Sequence, residues 1–351
     1  MTGICPWRAL TLLVCVVLTT LAAADDAAGV RRVRVMAVGD IMLDAVAQPI
    51  MEQFGYDHAF AQTRRLFEPA DVVFGNLEGP LTDRGTPQQD KTFVFRSPPE
   101  PVAAALKRAG FKVVSLANNH TMDYGAEGLQ QTAAVLDLQG ILHAGAGLDG
   151  AQARTPAIIE VEGTRIAFLA YSLTYPENFW AKAQHPGTAF GHEAHVREDV
   201  QSARRVADIV LVSFHWGRES QTELRDYQIL LGHAAIDSGA AAVIGHHPHI
   251  LQAVEQYKQG VILYSLGNFA FGSRSRKSLV SAIAELEFEG AALQRVRMLP
   301  LNVDNIEVQY QPTPLSGAAA DRVVAHIVEL SRKRATELSN VDGNAVLELQ
   351  R

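Results

Sequence analysis

Cysteine is nearly missing from this chain. Cys5 and Cys15 are the two among 351 residues, and both fall in its first stretch. Once that stretch is removed, neither a disulfide nor a thiolate ligand remains, so any metal must be held by oxygen and nitrogen donors. Excess positive charge is missing as well. Thirty-one Lys and Arg face 38 Asp and Glu, for a net charge of −7 and a pI near 5.9. That balance argues against a nucleic-acid backbone as partner. There is no internal repeat, no low-complexity block and no second long apolar span, so neither a repeat array nor a second membrane-spanning helix is indicated. What remains is a globular composition, 48% hydrophobic and 20% charged. The length suits one large or two modest domains.

The first stretch has its own logic. Arg8 supplies a positive start, Ala9–Leu21 an apolar run, and Ala22–Ala24 a small-residue boundary before Asp25-Asp26. Residues 1–24 read as a secretory signal peptide, with an uncleaved anchor as the alternative. Val14, before Cys15, is bulkier than a lipidation site favours. The chain is therefore expected to be exported, to the periplasm or cell envelope, with a short linker at Ala27–Arg32.

The rest is organised around Phe111–Gly125, FKVVSLANNHTMDYG. Phe111, Val113 and Val114 predict a buried strand that stops in Asn118, Asn119, His120 and Asp123. A helix is predicted over Ala126–Leu138, so these polar groups sit in a strand-to-helix loop, where open α/β sheets place ligand sites. The arrangement recurs. Val33–Val38 leads to Asp40, Val72–Phe74 to Asn76 and Glu78, and Ile209–Phe214 to His215 and Glu219. Ala241–Ile244 leads to His246, His247 and His249, and Val261–Leu266 to Asn268. Six apolar runs delivering carboxylates, amides and imidazoles at one end read as a single site.

Helices are predicted across Val46–Phe67 (interrupted near Gly55), Pro101–Ala109, Val196–Val206, Glu223–Ser238 and Ala318–Leu338. A hairpin is predicted at Ala157–Val161 and Arg165–Ala170, and late strands at Ala282–Glu289 and Leu293–Leu299. Ser172–His195 is long and irregular, as functional or mobile loops are. About the last dozen residues are expected to be loosely held.

His247-Pro248-His249 presents two imidazoles one residue apart in a loop stiffened by proline, able to address one ion or two; which pair of His246, His247 and His249 binds stays open. His215 reads as a ligand, with Glu219 orienting it or binding directly. Asp40 and Glu78 supply the anionic oxygen a divalent ion requires. Asn119 as ligand and His120 as proton donor fits metal-assisted hydrolysis, and Asp123 is placed to bond the His120 ring. Asn76 and Asn268 fit loop-fixing or site roles equally. The other histidines have no supporting pattern.

Six motifs occur in order: GDIMLD at Gly39–Asp44, GNLEGPL at Gly75–Leu81, SLANNHTMDYG at Ser115–Gly125, FHWGRE at Phe214–Glu219, GHHPHILQ at Gly245–Gln252 and YSLGNFAF at Tyr264–Phe271. Together they resemble the bacterial capsule-synthesis, poly-γ-glutamate-synthesis accessory family (CapA-like). That family is similar to the calcineurin-like metallophosphoesterases. The resemblance implies an α/β fold, a four-layer α/β/β/α sandwich, over residues 30–301, leaving 302–351 as a C-terminal helical extension. It implies Asp40 as the first metal aspartate, Glu78 as the bridging carboxylate, Asn119, His215, His247 and His249 as further ligands, and His120 as proton donor. The phosphoesterase pattern has Asp-x-His where this chain has Asp40-Ile41-Met42, which leaves one metal position short of an imidazole. One or two ions of Mn²⁺, Fe²⁺ or Zn²⁺ are thus implied. Two functions follow: a metal-dependent, phosphoesterase-like hydrolase in capsule, poly-γ-glutamate or envelope-polymer metabolism, or a non-catalytic accessory that binds an anionic polymer. The expected partners are an anionic polymer or phosphoester substrate and membrane polymer-synthesis proteins, with no nucleic acid.

Overall fold

Each of the six apolar runs forms a strand, and side chains alternate across it because the strand period is two. Along Arg32–Met42, Val33, Val35 and Ala37 enter one buried cluster, while Met36, Val38 and Ile41 enter another. The computed structural model describes residues 1–3 and 31–349. The expected leader, its Ala22–Ala24 boundary and both cysteines lie outside the described residues.

Two sheets result. The larger has ten strands, and its centre is Arg32–Met42 flanked by Val72–Leu77 and Val280–Glu289. Phe111–Ser115 and Leu142–Ala144 continue it in parallel, and Asn268–Phe271 pairs with the end of the first strand. The second sheet has six strands, in the order Val254–Tyr257, Gly260–Leu263, Ala242–His246, Ile209–His215, Thr164–Ser172, Ala157–Val161. The predicted hairpin is its edge, and it turns at Glu162-Gly163 with both φ positive, as a type I′ turn requires.

The sheets pack face to face. Val35, Val72, Phe74 and Val113 of one share a core with Ile166, Phe168, Leu211 and Ile244 of the other. Phe74 and Phe168 stack across the interface with ring centroids 5.3 Å apart. The outer face of the large sheet is covered by Pro99–Ala109 and Gly125–Leu138, through Val102, Leu106 and Leu136. Glu193–Ala203 and Asp226–Asp237 cover the outer face of the small one, through Val196, Val200, Leu231 and Ala235. Helix, sheet, sheet and helix are the four layers expected.

Helix ends follow local chemistry. Pro99–Ala109 opens on proline with Glu100 in its first turn, carries Lys107 and Arg108 in its last, and closes at Gly110 with φ +107°. Each choice complements the helix dipole or its unpaired end groups. Ser172–His195 is better tethered than its composition suggests. Phe179 is buried, and Gly187–Thr188 pairs with Ala146–Gly147.

The C-terminus differs from expectation. Gly317–Arg332 is the predicted helix, shorter by several residues, but a hairpin of Ser339–Val341 and Asn344–Glu348 follows it. Its second strand pairs with Ala292–Asn302 and buries Ala345, Val346 and Leu347. The tail is therefore neither loosely held nor only helical; it completes the large sheet. Leu347→Ala should accordingly cost about 2–4 kcal/mol of stability, the range for truncating a buried leucine. Denaturant titration checks this, since a loosely held tail would give a change within about 0.5 kcal/mol.

Candidate metal centre

Register brings the polar strand ends level. Asp40 lies opposite both Asn76 and Asn268, and Asn76 opposite Ser115. In the other sheet His215 lies opposite Ser172 and His246. Because the sheets stack, the two rows of carboxyl-end residues meet at one end of the sandwich. Two glycines allow the approach: a Cβ on Gly39 would sit 1.9 Å from the Gly267 carbonyl oxygen, and one on Gly245 would sit 1.9 Å from that of Tyr264.

Asp40 is fully buried at the centre. Its Oδ1 accepts from Asn76 Nδ2 at 2.8 Å, and its Oδ2 accepts from the His247 backbone N–H at 3.2 Å. His249 Nδ1 is 3.2 Å from Oδ2 and 2.9 Å from Asn268 Oδ1. Glu78 Oε1 lies 3.6 Å from His215 Nε2 and 3.8 Å from His249 Nε2, and has no hydrogen-bond partner. Asn119 Oδ1 is 2.7 Å from His215 Nε2. His247 and His249 hold left-handed backbone angles, φ +92° and +59°. Non-glycine residues adopt these at a cost of about 1–3 kcal/mol, and such strain concentrates at functional sites.

The donor set fits a divalent cation. One ligand atom from each of Glu78, His247 and His249 lies within 4.8 Å of the others, and the same holds for Asp40, Glu78 and His215. Glu78 belongs to both groups. Among the described residues its Oε1 and His247 Nδ1 are buried without hydrogen-bond partners, and such groups are costly unless something binds them. Every ligand predicted from the sequence, Asp40, Glu78, Asn119, His215, His247 and His249, is gathered here.

Electrostatics among these side chains point the same way. Burial pushes the Asp40 carboxyl up, but His246 and His249 outweigh it and hold it well below the usual range. Burial, then the Asp40 charge, pushes Glu78 well above it. Burial, reinforced by His247, holds His215 well down, and burial with the charge of His249 brings His247 to about 3. His249 is the exception: burial works against its charged form, yet Glu78 and Asp40 raise it to about 9. Glu78 and His249 each favour the other's charge, so their protons belong to the pair.

Beside this cluster stands the second half of the site. His120 Nδ1 is 2.7 Å from Asp123 Oδ2, and its Nε2 has no hydrogen-bond partner among the described residues. Burial lowers the His120 pKa against the pull of Asp123. Lys91, which sequence reasoning missed, joins them. Its Nζ lies 2.9 Å from His120 Nδ1, bonds Asp123 and the Asn119 carbonyl, and sits 5.3 Å from the Phe179 ring. Nothing in the loop Gly79–Lys91 marks this lysine, because an irregular loop carries no periodicity.

Some polar residues have other work. Asn118 donates to the Leu77 carbonyl and Asn76 Oδ1 and accepts from the His120 N–H, so it braces the loop. His246 is fully buried, with its Nδ1 3.3 Å from Asp40 Oδ1. The His215 ring is held by Asn76 and Asn119, so Glu219 does not orient it. Glu219 instead lines a cleft of about 570 Å³ that reaches Asn119 and His247. Trp216 is packing, stacked on Phe214 at 4.5 Å. His143, His185 and His233 bond Asp137, the Asn178 carbonyl and Glu255, away from the site.

Comparison with known proteins gives one family. The model described as "Bacterial capsule synthesis protein PGA_cap" matches residues 34–273. The capsule biosynthesis protein CapA of Bacillus anthracis is 31% identical over 287 residues, covering 80% of this chain and 69% of that protein. The PGA biosynthesis protein CapA of Bacillus subtilis (strain 168) is 34% identical over 268 residues, covering 76% and 70%. Among solved structures, the calcineurin-like phosphoesterase YfkN of Bacillus subtilis superposes with a TM-score of 0.45 at 15% identity, over 74% of this chain and 87% of that one.

A metal ion needs a neutral imidazole and an ionised carboxylate. With His249 raised to about 9, the metal-free site holds a proton at pH 7 that binding must expel. Titration of metal-free protein with Mn²⁺ or Zn²⁺ in weak buffer should therefore release at least one proton per ion, and His249→Gln should release one fewer. Without metal, a folded-state value above the ordinary 6.5 stabilises the fold below that pH, and the stabilisation is lost as pH rises through about 9. Metal uptake with no proton release would overturn this assignment.

Proposed function

The chain belongs to the bacterial capsule synthesis family PGA_cap, and from that premise we propose that it is an exported metal-dependent hydrolase of phosphoester or related bonds in envelope-polymer metabolism. One observation carries the reading: a buried set of oxygen and nitrogen donors with unpartnered atoms lies beside a His120–Asp123 pair whose outer nitrogen is free. A structural ion site would need the first and have no use for the second. Among the described residues no helix is long and apolar enough to cross a membrane.

A divalent ion of the Mn²⁺, Fe²⁺ or Zn²⁺ kind, held by Asp40, Glu78, Asn119, His215, His247 and His249, would polarise an oxygen of the scissile group. The remaining work falls to side chains. Asp123 accepts from His120 Nδ1–H, which fixes the tautomer and leaves Nε2 to carry the proton delivered to the leaving group. Lys91 offsets the Asp123 charge and ties the loop to Phe179. Asn119 spans the two halves, its side chain on His215 and its carbonyl on Lys91.

A second reading has its own support. Where a second imidazole would complete a two-ion site, Met42 is buried and its sulfur accepts the Asp44 N–H at 3.3 Å. One imidazole fewer leaves the two-ion arrangement incomplete, and a lone ion would still bind the carboxylates of an anionic polymer, in an accessory protein working with membrane polymer-synthesis proteins.

The neighbours Asn119 and His120 separate the readings. Asn119→Ala should lower metal content together with turnover of a generic phosphodiester. His120→Ala should keep the metal and lose roughly 10²–10⁴-fold in turnover, the range for general acid–base groups. A more acidic leaving group should restore part of it. Because burial lowers His120, wild-type turnover should fall with rising pH through a value below the ordinary 6.5. If His120→Ala empties the metal site, it is a ligand; if it leaves both metal and in vivo function intact, the accessory reading replaces hydrolysis.

A further inference from the structure

Acidic residues are spread along this chain, yet none occurs from Gln256 to Ala284. Three cations of that stretch, Arg274, Arg276 and Lys277, are exposed in the loop over residues 272–279. The loop leaves the end of the strand Asn268–Phe271, and the Phe271 ring lies 4.8 Å from that of His249. It therefore stands on the rim of the metal centre. Arg276 pairs with Asp304 at 2.9 Å, and Arg274 Nε donates to the neutral Tyr310 hydroxyl at 3.2 Å. The Lys277 ammonium has no partner among the described residues. Apolar side chains stand beside these charges. Asn305 Nδ2 donates to the Phe271 and Ser273 carbonyls, which keeps Ile306, 62% exposed, next to the loop. The Gln309 carbonyl meets His58 Nε2 at 3.0 Å, and Phe54, 54% exposed, stacks on His58 at 5.2 Å. Val46, also exposed, follows the Asp44 carbonyl that Gly272 abuts. Two exposed acids, Glu52 and Glu307, lie at the margin, bonded to Gln48 and Asn302. Single exposed apolar residues need no explanation, but three beside a cationic loop form one surface with two chemistries.

We propose that this rim is a docking surface for an anionic lipid bilayer, with Arg274, Arg276 and Lys277 on the headgroups and Ile306, Phe54 and Val46 entering the acyl boundary. Basic side chains beside exposed apolar ones are how peripheral proteins hold such a surface. The two chemistries together select the partner. A soluble polyanion satisfies the cations but offers Ile306 and Phe54 nothing, and a purely apolar partner leaves Lys277 unpaired. Net charge orients the approach: at −7 overall, the chain is repelled by anionic headgroups except where cations gather. Docking there sets the Asp40 and Glu78 cluster at the headgroup layer, open to a substrate carried in the membrane plane. The surface rests on the reading of the protein as one of the cell envelope, but not on hydrolysis.

The test uses the full, metal-replete chain with vesicles of phosphatidylcholine alone or with phosphatidylglycerol added. Where the apolar run Ala9–Leu21 is retained it holds both vesicle types alike, so the readout is the preference between them. The wild type should prefer the anionic vesicles, less so as salt rises. Arg274→Ala and Lys277→Ala should each reduce the preference about fivefold, the effect of one cation near an anionic surface. Ile306→Ser and Phe54→Ser should each weaken binding to anionic vesicles, and the exposed control Arg205→Ala should change nothing. On those vesicles Lys277 should be shielded from an amine-labelling reagent, while Lys112, at the other end of its strand from the metal centre, stays reactive. Equal binding of the wild type and the Arg274→Ala/Lys277→Ala double variant to anionic vesicles overturns the surface, as does a Lys277 that stays reactive on them. Dependence on the cations with none on Ile306 or Phe54 overturns the bilayer in favour of a soluble polyanion. No preference for anionic vesicles overturns it in favour of a protein partner. Metal content and turnover of a soluble phosphodiester are read in parallel and should not change in these variants, so loss of docking and loss of hydrolysis cannot be confused.

Discussion

Two carboxylates buried side by side govern this molecule. Asp40 and Glu78 are both inaccessible to solvent, and removing charges from water without compensation costs several kcal/mol each. Neighbouring groups answer that cost in different ways. Asn76 and the His247 backbone N–H donate to Asp40, while His249 keeps its proton. Glu78 Oε1 has His249 Nε2 at 3.8 Å but no hydrogen bond among the described residues. Strained backbone at His247 and His249, bare glycines at 39 and 245, and the bracing amide of Asn118 all serve to hold donors around that deficit.

Much of this was legible in the sequence, because sheet chemistry writes a simple code. A run such as VVSLANNH must bury its first half as a strand, and its polar end must then gather at the strand terminus, where it too is buried against the other strand ends. Six such runs in one chain imply six strand ends together, and register delivered Asp40, Asn76 and Asn268 to one level. What stayed hidden were contacts made by residues with no pattern. Lys91 lies in a loop of polar residues where any position looks like its neighbours. Glu219, one residue beyond Arg218, lines the cleft, while Asn76 and Asn119 take the His215 ring. The terminal hairpin around Leu347 escaped because a five-residue strand beside a polar turn carries too little periodicity to stand out.

The separation of duties within adjacent residues also follows from loop geometry. Asn119 and His120 point to different sides, so one meets His215 while the other meets Asp123. His246 and His247 divide likewise, the first lying in a strand beside Phe74, the second turned by its positive φ toward the cluster. Helical spacing could not place consecutive residues on opposite tasks so closely, because i and i+1 diverge by a fixed angle around the axis.

The position of the first strand has a consequence for how the protein comes into being. Arg32–Met42 lies in the middle of its sheet, yet one neighbour is Val280–Glu289, with Arg32 opposite Glu289. Asp40 likewise waits for Asn268. Such pairing closes a very long loop before it returns any energy, and topologies of this kind fold slowly. Synthesis therefore delivers most of the chain before its founding strand has both partners. Until then the apolar strands stand open, and their unpaired edges are the surfaces most exposed to wrong pairing.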